Sequence, residues 1–259
     1  ARQEEVFEPR RTDKRERDHG RRGEKIGGDG GGSHVTAAAH RTDAVYRTPW
    51  YNHNPIEPHA ATVLWKDGRL IVHDATQMLN GTAGSLAKVF GLKDDQVHVS
   101  SPFVGGGFGG KIPAYLDPTV AVLSKKTGRP VKAIMTRQEV FEATGPTPGS
   151  HITVKIGVDS EGTILAAQAN LQFEAGAFPG SPVGAAAKCV FASYDIPNQQ
   201  IDGYDVVVNK PKTAAYRAPG ATNAEFASET VVDQLAEELG IDPLKLRLSN
   251  AAKEGSRKV

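Results

Sequence analysis

Five glycines stand within six residues, Gly105, Gly106, Gly107, Gly109 and Gly110, with Phe108 among them and Lys111 closing the run. A helix or strand interior does not tolerate that density, because each glycine costs roughly 0.5–1 kcal/mol relative to alanine through lost backbone freedom. The segment is therefore a loop. Lacking Cβ atoms, its amides can approach a ligand closely and form a concavity suited to an anion. The phenylalanine in its middle sets it apart from a flexible linker.

Three readings of the loop compete on the residues alone, besides a glycine-rich turn with no ligand. Gly105, Gly107 and Gly110 satisfy the G-x-G-x-x-G spacing of a dinucleotide-binding turn. Against this, Ile112-Pro113 interrupts the start of the helix that should follow, and no acid closes a second strand about 20 residues on. Gly105 to Lys111 also fits the G-x-x-x-x-G-K of a phosphate-binding P-loop, but Ile112 stands where that loop needs Ser or Thr to hold Mg²⁺. The third reading rests on motifs elsewhere in the chain.

The surrounding pattern is that of an α+β fold with hairpins among packed helices. Ala61, Val63 and Trp65 alternate, Asp67-Gly68 turns the chain, and Leu70 to Val72 return it, a strong hairpin signal. A second hairpin is expected from 152–158 and 163–169. Helices are expected over 81–90, 118–126, 181–192 and 223–239, and single strands over 97–100, 131–135 and 206–208. In the longest helix Ala227, Val231, Leu235 and Leu239 form one stripe, Gly240 stops it, and Asp242-Pro243 opens the next. Residues 1–42 differ. Mixed charges and the glycine run 27–32 carry no apolar periodicity, so a disordered or aberrant tail is expected, with the domain proper over 43–259.

Composition excludes several classes. The net charge of +1 offers no field to recruit nucleic acid or an anionic membrane, and no apolar run approaches the roughly 18 residues of a membrane span. The single cysteine, Cys189, allows no internal disulfide and no iron–sulfur cluster within the chain. A lone cysteine in an Ala-rich segment reads as a small buried apolar residue. A cytoplasmic location is expected, the periplasm staying open because the sequence starts at Ala1 rather than Met. His53, Glu57 and His59 suggest a metal cluster, but Pro55 and Pro58 prevent any helix from aligning them, and a packed turn is expected.

The stretch Ser101-Pro102-Phe103-Val104 through Lys111 resembles the molybdopterin loop of the xanthine dehydrogenase/aldehyde oxidase family. Five further motifs resemble that family and stand in its order: His53-Asn54-Pro55-Ile56-Glu57-Pro58-His59, Asp74-Ala75-Thr76-Gln77, Tyr194-Asp195-Ile196-Pro197-Asn198, Ala215-Tyr216-Arg217-Ala218-Pro219-Gly220, and Asp242-Pro243-Leu244 with Arg247 and Asn250. One motif is weak evidence; six in order are specific. The resemblance implies the first molybdopterin-binding domain of a molybdenum hydroxylase large subunit. It implies that Gly106, Gly107, Phe108 and Gly109 line the cofactor and that Arg217 and Ala218 form a second loop against the metal centre. The cofactor would be molybdenum-molybdopterin, alone or as a dinucleotide.

The family reaction hydroxylates a carbon with water as oxygen source, a glutamate acting as general base. That glutamate belongs to a Gly-x-Gly-Glu-like motif near the family's C-terminus, and no such motif occurs before Val259. No catalytic residue and no metal ligand is therefore assigned here. The chain is expected to be part of a truncated or split subunit, inactive without a second molybdopterin-binding half and without partners carrying 2Fe-2S and FAD. A non-catalytic cofactor-binding scaffold is the alternative. Departures narrow the expected substrate. Ala218 replaces the cysteine of the carbon monoxide dehydrogenase branch. Ile112, Ala185 and Pro219 stand where purine-oxidising members carry a glutamate, an arginine and an aromatic ring. Aldehydes or N-heteroaromatics are expected instead. Tyr51 aligns with a glutamine of many members, and Cys189 with the substrate side.

Overall fold

Alternation along the chain builds the smaller of two sheets. The computed structural model describes residues 35–256 and the backbone of strand β1 (Arg21–Ile26). Ala61, Val63, Leu70 and Val72 are buried. The last three share an apolar core. Beyond β2 (His40–Thr48), the hairpin consists of antiparallel β3 (Ala60–Lys66) and β4 (Arg69–Asp74). Its turn residues Asp67 and Gly68 have φ of 50° and 74°, the paired positive angles of a type I′ turn. β5 (Val97–Ser100) runs parallel to β4 and β6 (Val131–Ile134) antiparallel to β3, giving the order β5-β4-β3-β6. Helices α1 (Leu79–Phe90) and α2 (Asp117–Thr127) complete this core through Leu86, Val120 and Ala121. Both end at a glycine with φ 65°, Gly91 and Gly128. The Trp65 indole N–H reaches the Ala121 carbonyl at 2.8 Å.

After α3 (Arg137–Ala143) the chain builds a larger sheet from β7 (Ser150–Val158), β8 (Ile164–Gly176) and β9 (Asn198–Val207). Its order is β1-β9-β8-β7-β2, antiparallel except for β8 beside β9. Helices α4 (Val183–Cys189), α5 (Ala221–Leu239) and α6 (Pro243–Asn250) cover one face. Ile152, Val154, Leu171 and Phe173 meet Ala227, Val231 and Leu235 there, all fully or almost fully buried. Each such aliphatic or aromatic side chain contributes about 1.5–3 kcal/mol by leaving water. The architecture is α+β, with mixed sheets and packed helices.

Differences from the sequence expectations have local causes. β9 spans ten residues rather than the three expected at 206–208. Ile201 and Asp205 face the helices, while Gln200 and Asp202 lie half-exposed on the opposite side, so polarity hid the strand. α3 was not expected, although Thr136 and Glu139 form a capping box. β2 begins three residues before the expected boundary at 43. β1, inside the expected tail, pairs antiparallel with β9. Residues 1–20 and 27–34 of that tail lie outside the described residues.

Asn250 ties α6 to the β7–β8 turn. Its side chain accepts from Ile164 N at 2.8 Å and donates to the carbonyls of Gly162 and Leu246, both at 2.9 Å. Asn250→Ala leaves the buried Ile164 amide and Gly162 carbonyl unpaired, while Leu246 O keeps the Ser249 hydroxyl at 2.9 Å, and is expected to lower stability by about 2–3 kcal/mol, read as a drop in the urea midpoint. An unchanged midpoint would contradict this role.

Candidate functional site

The two motif loops meet where the two cores adjoin. The glycine loop leaves β5 on the small-sheet side, and residues 215–220 lead into α5 on the large-sheet side. The Arg217 amide donates to the Phe108 carbonyl at 2.9 Å, and His53 Nε2 lies 2.7 Å from the Ala215 carbonyl. Gly110 N donates to Gly107 O at 2.8 Å, closing a turn over Phe108 and Gly109. Their φ angles are 55° and 98°, and that of Ala218 is 53°. Among described non-glycine residues only Asp67, Phe108 and Ala218 adopt positive φ. Such geometry costs about 1–3 kcal/mol per residue and persists only when the surroundings enforce it.

The surroundings here are side chains of the two upstream motifs. Glu57 Oε2 accepts from Gly105 N at 2.7 Å and from Lys111 Nζ at 2.6 Å, clasping both ends of the loop. Gln77 Oε1 accepts from Gly109 N at 2.9 Å and Lys111 N at 3.2 Å, while Gln77 N donates to Lys111 O. His59 Nε2 lies 3.0 Å from the Gly110 carbonyl, and Thr76 Oγ1 donates to that of Lys111 at 3.1 Å. The amides of Gly105, Gly109, Gly110 and Lys111 are thus engaged. Those of Gly106, Gly107 and Phe108 have no acceptor among the described residues. Successive N–H groups without an acceptor, beside residues with positive φ, are the donors from which anion-binding backbone nests are built. Phe108 is 43% exposed beside them, and the exposed Arg217 guanidinium has no acid partner among the described residues.

Electrostatics keep the clamp fixed. Partial burial pushes the Glu57 carboxyl up, but the bonds from Lys111 and Gly105 outweigh it and hold its pKa below the usual range. His53 and His59 are pushed down chiefly by burial, the carbonyls at Ala215 and Gly110 opposing the shift, and so stay neutral at pH 7. His53, Glu57 and His59 thus hold separate parts of the two loops, and no group of three metal-ligating side chains gathers among the described residues.

The structure removes the support for a P-loop or dinucleotide turn. Lys111 is fully buried against Glu57 and cannot reach a phosphate. No helix starts from the loop either, since α2 begins only at Asp117. Of the remaining positions, Tyr51 meets Tyr216 edge-on at 4.9 Å, next to Arg217. A Cβ on Gly220 would strike the Pro182 carbonyl, which places the start of α4, with Ala185, against the 217–220 loop. Cys189 lies at the far end of that helix, half-buried. Pro219 and Ile112 are half-buried. A cavity of about 260 Å³ lined by Arg47, Trp50, His151 and Glu174 is separate, on the large-sheet face away from the helices. Sequence reasoning missed Glu57, Gln77 and Lys111 as the residues that shape the loop; their presence within or beside the motifs was the available signal.

Comparison with known proteins gives this geometry its class. The sequence pattern of the molybdopterin cofactor-binding domain matches residues 14–251, and the chain belongs to that family. Its relatives are molybdenum-binding subunits of the aldehyde oxidoreductase and xanthine dehydrogenase type. The aldehyde oxidoreductase molybdenum-binding subunit of Escherichia coli K12 is 32% identical over 216 residues, 83% of this chain and 29% of the relative. The aldehyde oxidoreductase of Megalodesulfovibrio gigas is 34% identical over 209 residues, 78% of this chain and 23% of the relative. Among solved structures, the Desulfovibrio gigas aldehyde oxidoreductase superposes with a TM-score of 0.84 at 29% identity, covering 91% of this chain and 27% of that one. Quinoline 2-oxidoreductase of Pseudomonas putida 86 gives 0.84 at 26% identity, covering 90% and 31%. The chain therefore spans less than a third of the length of these relatives.

Gly109 holds the two loops in contact. Any Cβ there would run into the Ala215 carbonyl at φ 98°. Gly109→Ala is expected to destabilise by about 2–4 kcal/mol through combined strain and overpacking. Gly84→Ala, in open space within α1, is expected to stabilise by about 0.5–1 kcal/mol. Urea denaturation of the two variants checks the contrast.

Proposed function

We propose that the chain is the molybdenum-cofactor-binding part of an oxidoreductase that hydroxylates aldehydes or N-heteroaromatics with water as oxygen source. The observation that carries this reading is the row of free amides at Gly106, Gly107 and Phe108, held open where the Arg217–Ala218 loop adjoins. Those donors suit the acceptor-rich, anionic molybdopterin, so the residues present fit the group. When bound, the cofactor supplies the two-electron oxidation at the substrate carbon. Gly106, Gly107, Phe108 and Gly109 would line it, the first three through their amides, and the Phe108 ring would shield one side from water. Ala218 and the uncompensated Arg217 would close the other side.

The general base is assigned outside these residues, and with it turnover. A second molybdopterin-binding half, on the same or another polypeptide, and partners with 2Fe-2S and FAD complete the enzyme. No helix among the described residues is long and apolar enough to cross a membrane, and a cytoplasmic enzyme is the reading adopted. Support for the substrate class comes from names as well as residues: relatives are named aldehyde oxidoreductases, and one structural neighbour acts on quinoline. Ile112, Ala185 and Pro219 offer neither charge nor ring to a purine. A site without those polar anchors forgoes the large discrimination that hydrogen-bonded recognition gives.

Three outcomes are expected. The purified chain alone shows no aldehyde oxidation with an artificial acceptor; measurable turnover would move the base into this chain. In the assembled enzyme Gly109→Val abolishes molybdenum retention, checked by metal analysis, and wild-type content would remove the loop from the cofactor site. A substrate panel should give a higher kcat/KM for an aryl aldehyde or a pyridine than for xanthine; the reverse order would overturn the substrate assignment.

A further inference from the structure

Beneath the glycine loop lies a titratable cluster that the proposed function does not use. Asp74, at the end of β4, and Asp117, at the start of α2, line one small cavity; burial pushes both carboxyls up, and the neighbouring Asp117 adds to the rise at Asp74, so one of the two is the carboxyl that keeps its proton. Asp117 is only 3% exposed, and its buried Oδ1 has no hydrogen-bond partner among the described residues. The pair lines a cavity of about 10 Å³ together with Lys111, His59 and Tyr115, room for at most about one water molecule. Lys111 is fully buried and is held by Glu57 at 2.6 Å. Lys111 is thus bound to a lasting carboxylate, Glu57, and lines the same cavity as a pair whose charge depends on one proton.

We propose that Asp74 and Asp117 form a one-proton lock on the glycine loop. With the proton in place, Lys111 belongs to Glu57, and the loop is clasped at Gly105 and at Lys111. Loss of the proton gives the pair a second negative charge, draws Lys111 toward it and loosens the clasp. The other groups facing the pair do not counter this. His59 is kept neutral chiefly by burial. Burial raises the Tyr115 phenol, whose oxygen accepts from Gly145 N.

Burial first, then the charge and hydrogen bond of Asp117, push Asp74 up to about 7, Lys111 opposing. The unfolded chain releases the same proton near pH 4. Between about pH 4 and 7 the folded state thus holds a proton the unfolded state has lost, so this pair's contribution to stability falls across that window and levels off above it.

The lock acts on the loop assigned above to the cofactor, and its functional meaning rests on that reading. The test does not. Amide exchange in residues 105–111 of the full chain, corrected for intrinsic rates, is compared at pH 6 and pH 8. Wild-type protection is expected to fall roughly tenfold, the most that one proton with a pKa near 7 allows. Asp74→Asn keeps a donor facing Asp117 at every pH, and its protection should change less than about twofold by the same linkage. Asp117→Asn serves the same purpose should the first variant not fold. Equal wild-type protection at both pH values, or the same fall in the Asn variant, would overturn the lock. Molybdenum content of the assembled enzyme, measured separately, reports on the cofactor assignment alone.

Discussion

One hydrogen bond, from the Arg217 amide to the Phe108 carbonyl, joins two apolar cores that otherwise belong to different sheets. The glycine loop lies between β5 and α2 of the small-sheet core, and the large-sheet core begins its long helix after Gly220. Neither loop is regular structure, so each needs the other to satisfy its backbone groups. His53 adds a second tie at Ala215, and Gly109 supplies the missing side chain that lets the two backbones touch. Positions on both sides of the candidate site are therefore fixed by the same few contacts.

That fixation has an energetic logic. Phe108 and Ala218 hold left-handed angles that alanine and phenylalanine normally avoid. They are opposed by a neutral histidine pair, a carboxylate with two donors, and a glutamine oxygen with two more. The donors left over, at Gly106 to Phe108, sit on a backbone that these contacts hold. A bound anion then has little ordering of the protein to oppose it. Rigidity built from the upstream motifs is thus what the downstream loop presents to a ligand.

Much of this was legible because glycine, proline and alternation act locally. Asp67-Gly68, Gly91, Gly240 and Asp242-Pro243 each mark a turn, a stop or a cap that the structure shows at that place. The loops at 105–111 and 215–220 were legible as motifs. Their meeting was not, since nothing in either sequence encodes a partner about a hundred residues away. β9 escaped notice because Gln200 and Asp202 break the apolar pattern on the face no helix covers. The sequence predicts a packed turn over 53–59. Side chains from that turn are what hold the loop, a role visible only once Glu57 is seen to reach Gly105 and Lys111 together.

The position of β2 in the larger sheet bears on how the chain comes together. β2 precedes the small sheet in sequence, yet pairs with β7, whose residues follow it, from His40 opposite Val158 to Thr48 opposite Ser150. The small-sheet core draws only on the contiguous stretch between them. During synthesis that stretch can collapse as a unit as soon as β6 has left the ribosome, while β2 waits unpaired. Its early completion shortens the gap that β2 and β7 must close, replacing about a hundred flexible residues by a folded spacer with fixed ends. The inserted core is in this sense a folding aid for the sheet that encloses it. Truncated chains ending just past α3 and just past β8 should differ accordingly, the first protecting the small sheet from protease and only the second protecting β2.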